Sequence, residues 1–293
     1  MPRGVPKKGY RMTAKRKATA LSYVELAPVQ AVDQASGETD AQINAKLRER
    51  FDILSMMTNA AIKGDARSMI VSGPPGLGKS FEVEQALEAW NPSGNKFSIV
   101  KGFVKPTGLF KKLYQHRRRG QVIVFDDCDA VFSDETTLNM LKAVCDTTDR
   151  RVVSYLSEYN MVDEESSDTI PKSFEFKGTI IFITNLDFDS LIERGHKIGP
   201  HLSALISRSH YIDLAMKTQR DYVIRIRQVV DAGMLKAHGL NDQQQTDVMR
   251  FVDDNIDRLR ELSLRAVIKI ANLRKANAAK WESVARVTCC KNK

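Results

Sequence analysis

The eight residues Gly73-Pro74-Pro75-Gly76-Leu77-Gly78-Lys79-Ser80 constrain this 293-residue chain more than any other stretch. They fit the pattern glycine, four residues, then Gly-Lys-Ser. Glycines carry no Cβ, so the backbone here is free to curl and turn its N–H groups inward. Those groups, with the first turn of a following helix, form a concave anion site. In this pattern the lysine reaches the β- and γ-phosphates of a nucleotide, and the serine hydroxyl sits on Mg²⁺. The flanks agree. The apolar run 68–72 precedes the loop, and an amphipathic stretch from Phe81 to Trp90 follows it. That is strand, loop, helix. A glycine-rich turn that binds nothing would require neither flank.

Strand and helix signals alternate around this loop. Apolar positions Ile43, Leu47, Phe51, Leu54 and Met57 recur at helical spacing and predict a leading helix over 40–61. Strands are expected at 69–71, 97–100, 121–125, 178–184 and 211–214. Helices are expected at 107–116, 135–146 and 200–207. Continuous apolar strands between helices imply a doubly wound parallel sheet covered on both faces, an α/β core. From about residue 216 only helical patterns remain, at 217–230, 242–253 and 255–276. The expected organisation is an arm and linker (1–39), an α/β core (40–215), a small C-terminal α-helical lid (216–280) and a tail (281–293).

The run Val122-Ile-Val-Phe-Asp126-Asp127 ends a buried strand in two acids. In doubly wound folds the carboxyl edge of the sheet is where ligands sit. Asp126 is placed to hold Mg²⁺ directly or through water. Asp127 is placed to orient or deprotonate an attacking water. Two acids at a surface turn are unremarkable alone. About fifty residues after a phosphate loop, they become specific.

With these residues in hand, the chain resembles the AAA+ ATPases over roughly residues 40–280. Gly73–Ser80 resembles the Walker A loop, and Val122–Asp127 the Walker B strand. Ile181-Phe-Ile-Thr-Asn185 is similar to the strand ending in the sensor 1 residue, which gives Asn185 the task of holding the lytic water. Leu205-Ile-Ser-Arg208 is similar to the segment ending in the arginine finger, and Leu262-Ser-Leu-Arg265 to the sensor 2 helix. The resemblance implies ATP and Mg²⁺ as ligands, ATP hydrolysis as the activity, and a homo-oligomeric ring, with a hexamer as one candidate size. Within it Arg208 would reach a neighbour's nucleotide. Asp127 departs from the family, where most members have glutamate. Arg150, Arg151 and Arg194 are rival fingers.

Two further stretches bear on the substrate. Residues 150–156 and 174–176 read as strands flanking the acidic loop 163–168, a β-hairpin ahead of sensor 1 like that of several DNA-acting branches of the family. Arg150, Arg151 and Lys172 are its candidate phosphate contacts. After the second strand, Lys101-Gly-Phe103-Val-Lys105 suits stacking and phosphate neutralisation if it faces a ring pore. The plainer expectation is that Phe103 packs on the core and the lysines are solvated.

The net charge of +9 is concentrated at the amino terminus. Residues 1–24 carry seven basic side chains and no acid, and account for all but two of those charges. Such an arm cannot bury a core. It suits contact with nucleic-acid phosphates, or simple solubilisation. No run of about 18 apolar residues appears, which excludes a membrane-spanning helix. Cys128, Cys145, Cys289 and Cys290 match no zinc spacing. Reduced cytoplasmic thiols are the default, in a host cytoplasm if the chain is phage-encoded, as its general style suggests. The expected function is an ATP-driven motor or switch on DNA or a nucleoprotein complex. The alternative is a protein remodeller of the unfoldase kind. A non-hydrolysing nucleotide-gated scaffold rests on Asp127 alone.

Overall fold

The computed structural model describes residues 37–156, 158, 160–163 and 168–292. The basic arm (1–36) and residues 164–167 of the acidic loop lie outside them. In chain order, α1 (Asp40–Lys63) leads into β1 (Ser68–Ser72), α2 (Lys79–Trp90), β2 (Phe97–Lys101), α3 (Pro106–Gln115) and β3 (Val122–Asp126). A 3-10 turn (Asp129–Phe132) and α4 (Glu135–Val144) precede four short strands, β4 (Val152–Ser154), β5 (Met161–Val162), β6 (Thr169–Ile170) and β7 (Ser173–Glu175). Then come β8 (Thr179–Thr184), α5 (Phe188–Glu193), α6 (Gly199–Ile206) and β9 (His210–Asp213). The helices α7 (Gln219–Asp231), α8 (Met234–Ala237), α9 (Asp242–Asp254), α10 (Leu264–Ala276) and α11 (Trp281–Cys289) follow.

Five strands form one parallel sheet in the order β2-β3-β8-β1-β9. Every residue of β1, β3 and β8 is buried. Successive side chains divide between two cores, as a period of two requires. Ile70, Ile123, Phe125, Ile180 and Phe182 pack with α3 and α4 on one face. Met69, Val71, Val122, Val124, Ile181 and Ile183 pack with α1 and α2 on the other. The doubly wound α/β class is therefore the observed one. The leading helix starts at Asp40 because Thr39 caps it. The Thr39 hydroxyl accepts from Gln42 N–H at 3.3 Å, while Thr39 N–H donates to the Gln42 side chain at 2.8 Å.

The hairpin ahead of β8 is present as two nested antiparallel pairs, β4 with β7 and β5 with β6. Arg151 at its base is a correction. It is buried, and its guanidinium donates to the carbonyls of Val144 and Gly178 at 2.9 Å each. Arg151 therefore ties α4 to β8 and is available neither to phosphate nor as a finger. Arg150 and Lys172 are exposed.

The C-terminal helices build a third core from Leu235, Val248, Phe251, Val267, Ile270 and Trp281, among others. Two expectations change here. The helix expected over 255–276 starts only at Leu264, because Ser263 caps it, its hydroxyl accepting from Ala266 N–H at 3.2 Å. The segment expected as a tail is α11, whose Trp281, Ala285 and Cys289 are buried. Its end is anchored by a bridge between Leu259 and Cys290. Trp281 packs on Phe251 with ring centroids 5.4 Å apart. Among the described residues, no helix is long and apolar enough to cross a membrane.

Candidate nucleotide site

Parallel pairing sets the chemistry-bearing residues along one edge. Ser72 is in register with Thr184, Asp126 with Ile183, and Lys101 with Asp126. The loop after β1, the acids after β3 and Asn185 after β8 therefore emerge side by side at the carboxyl ends of the three central strands. Sequence spacing alone leaves them 46 to 106 positions apart.

The loop has the backbone its glycines allow. Gly76 and Gly78 adopt φ of +77° and +96°, left-handed values that a side chain would strain. Leu77 is fully buried and pins the loop to the core, while Pro75 lines the cavity above it. The Lys79 ammonium is buried and donates to the carbonyls of Gly73 and Pro74, and to Asn185 Oδ1 at 3.0 Å. Burial lowers its pKa from 10.5 to about 8. Asp127 and Asp126 pull the other way, and Arg265 adds to the lowering.

Ser80 Oγ donates to Asp126 Oδ1 at 2.7 Å. These are two hard oxygens at the mouth of an anion loop, and they fit Mg²⁺, which takes oxygen ligands and keeps several waters. The other Asp126 oxygen lies 3.4 Å from Lys101 Nζ, which also pairs with Glu84 at 3.3 Å. Lys101 is exposed, as expected, and also reaches the site through this pair. Asp127 is exposed and has φ +52°, the one non-glycine residue with positive φ among those described. That kink ends the strand and turns its carboxylate to Asn185, whose Nδ2 donates to Asp127 Oδ1 at 2.7 Å. Asn185 therefore touches both Lys79 and Asp127.

The helical lid closes the site from above. Leu264 N–H donates to the Gly76 carbonyl at 2.9 Å. A Cβ on Gly76 would lie 2.6 Å from Ser263 Cβ, so glycine is needed for this approach as well as for φ. The cavity between loop and lid measures about 780 Å³. Arg265 lines it from the first turn of α10, with Val229, Met234, Leu264 and Ile268 forming an apolar wall. Its size and its mix of cationic and apolar lining suit a nucleotide.

No protein-family profile matches the chain. Over 250 residues, 85% of this chain and 76% of the other, it is 36% identical to the uncharacterised 36.7 kDa protein of the nrdC-mobD intergenic region of Enterobacteria phage T4. The chain belongs to that phage family, on an AAA+ P-loop fold. Among solved structures it is similar to domain III of the replication initiation protein DnaA from Thermotoga maritima, with 12% identity, a TM-score of 0.46, and coverage of 82% of this chain and 92% of that one. A Thermotoga maritima RuvB mutant gives 12%, 0.46, 83% and 69%. NtrX from Brucella abortus in complex with ADP gives 14% and 0.44, and this chain spans about half of it. These likenesses are loose. The AAA+ fold stands on the strand order, the loop and the lid.

Within this chain, Arg208 lies apart from the other candidates. It precedes β9 at the amino edge of the sheet, where its carbonyl accepts from Ser68 Oγ at 3.0 Å. Four strand rises, ~13 Å, separate Ser68 from the start of the loop at Ser72. The Arg208 backbone thus lies at the opposite edge of the sheet from its own chain's loop. Its guanidinium donates to the Ala204 carbonyl at 2.7 Å. Arg194 is exposed on the short turn after α5.

Sequence reasoning missed Asp129. Its buried carboxylate accepts from the Thr184 hydroxyl and the Asn185 backbone, and burial raises its pKa. It fixes the turn that presents Asn185. The signal was three acids within Asp126-Asp127-Cys128-Asp129. The plain expectation for Phe103 is also corrected. The side chain is 76% exposed, and so is Leu156 of the hairpin, at 82%.

Proposed function

We propose that the chain is an ATP-hydrolysing motor or switch that works as an oligomeric ring on DNA or a nucleoprotein complex. The observation that carries the ATPase reading is the convergence of Lys79, Asp127 and Asn185 through two hydrogen bonds beside the Ser80–Asp126 pair. Gly73–Ser80 would wrap the phosphates with backbone N–H groups, and Lys79 would exchange its loop carbonyls for phosphate oxygens. Ser80 and Asp126 would hold Mg²⁺, which offsets charge on those oxygens. Asp127 and Asn185 would orient the attacking water and accept its proton at the carboxylate. Arg265 would read the phosphates from the lid of the same chain. Arg208 would do so in a neighbour, where a cation stabilises charge gathering in phosphoryl transfer. Loss of the γ-phosphate then relaxes lid and neighbour together.

The position of Arg208 supports the ring, since its backbone lies at the edge of the sheet opposite its own chain's phosphate loop. The basic arm and the nested hairpin support DNA. The exposed Phe103 and Leu156 equally favour the second reading, a remodeller that grips a polypeptide. ATPase rate with single-stranded DNA, duplex DNA and RNA, for the full chain and a chain starting at Asp40, separates them. Stimulation that weakens with salt and needs the arm supports the nucleic-acid reading. A rate indifferent to all three nucleic acids turns it to a protein partner.

A further inference from the structure

Arg225, on the first lid helix α7, is a buried cation without an adequate partner. It is 6% exposed. Its Nη1 donates to Gln228 Oε1 at 3.3 Å, its Nη2 lies 3.9 Å from a Glu82 carboxylate oxygen, and its Nε makes no hydrogen bond. The guanidinium stacks on Phe51, its carbon 3.3 Å from the ring centroid. A guanidinium carries five N–H donors and stays charged, so leaving one buried and under-paired is expensive. Burial accordingly lowers its pKa to about 10, against the pull of Glu82 and Asp52.

The place of this group says what would satisfy it. Arg225 lines the nucleotide cavity, and its Nη2 is 3.8 Å from where a Cβ on Gly78 would stand. Gly78 opens α2, so its backbone belongs to the phosphate cradle. Lys79 reaches Asn185 at one end of the loop, whereas Arg225 lies beside Gly78 and Glu82 on the flank of α2 that borders the same cavity as the apolar wall.

We propose that Arg225 is a nucleotide-binding residue that pairs with the phosphate next to the ribose, so that the lid is held by the nucleotide whether or not a γ-phosphate is present. This rests on the nucleotide-binding reading above. It gives the lid two cations with different tasks. Arg265 reads the end of the triphosphate that hydrolysis changes, and Arg225 the end that persists in ADP.

The test is displacement of a fluorescent ADP analogue by ADP, AMP and adenosine, using the full chain, Arg225→Met and Arg225→Gln. Methionine keeps the contact with Phe51, and glutamine keeps a donor without charge. Lys236→Met, an exposed lid position, controls for net charge. Both Arg225 variants are expected to weaken ADP and AMP by about tenfold or more and leave adenosine within about twofold. Without nucleotide, thermal stability of Arg225→Met is expected to equal or exceed that of the parent, since an under-paired buried charge is removed. Unchanged ADP affinity in both variants overturns the assignment, as does an equal loss for adenosine, which would mean a base contact or a lid prop. A parent chain that binds none of the three overturns the nucleotide reading itself, and this inference with it.

Discussion

Asn185 Nδ2 donates to Asp127 Oδ1 at 2.7 Å while the same amide accepts from Lys79. One side chain thus ties the lysine that would bind phosphate to the carboxylate that would orient water. Replacing it by alanine removes positioning and leaves the loop intact. Asn185→Ala and Asp127→Asn are each expected to lower kcat by roughly 10²-fold or more with ADP affinity changed only a few-fold. Single-turnover hydrolysis against equilibrium binding checks this. Parallel losses of both would place these residues in binding instead.

Lys101 would compete with a Mg²⁺ ion for Asp126. The ammonium sits 3.4 Å from the oxygen opposite the one that Ser80 bonds. Lys101→Met removes a cation that opposes the metal and is expected to lower the Mg²⁺ concentration for half-maximal ATPase by several-fold. Asp126→Asn is expected to raise it by about tenfold or more, since a carboxylate ligand is lost. A Mg²⁺ titration of both variants reads the two directions together.

The depressed pKa of Lys79 has a definite sign. Between about pH 8 and 10.5 the unfolded chain holds a proton on Lys79 that the folded chain has released. Stability from this group therefore rises with pH across that window, and below it the buried ammonium costs on the order of 3 kcal/mol. Lys79→Met is expected to raise the nucleotide-free Tm at pH 7 and to flatten its rise toward pH 10. Phosphates beside the amine favour its charged form, so ADP binding near pH 9 is expected to take up a proton. Calorimetry in two buffers of different ionisation enthalpy measures that uptake.

Arg208 sits at the amino edge of the sheet, some four strand rises from the loop. Arg208→Ala is expected to bind ADP as the parent does and to lose turnover by about 10³-fold. Mixing Arg208→Ala with Asp127→Asn subunits places an intact finger opposite an intact site, and partial recovery of ATPase is the expected outcome. No recovery would remove Arg208 from this role, leaving Arg194 and Arg150 as candidates.

The local chemistry was legible in the sequence because it depends on residue type at short spacing. The loop 73–80 needs glycine where φ is positive, and β3 needs an unbroken apolar run before its acids. Asp129 was missed because its role depends on Thr184, 55 positions away. Arg151 read as a surface cation because nothing nearby in sequence announces the carbonyls of Val144 and Gly178. The segment 281–293 read as a tail because α11 is exposed along much of its length and buries only a narrow stripe.

The sequence by itself determined the α/β class, the parallel strands and the phosphate loop. These follow from hydrophobic periodicity and from backbone conformations that only certain residues adopt. Only the tertiary structure decided which of the many arginines matter where. Arg151 is spent on backbone carbonyls, Arg208 sits at the opposite edge of the sheet from its own loop, and Arg225 is buried against Phe51 at the loop. A charge is assigned its partner by distance and by the water it has lost, and neither is written in local sequence.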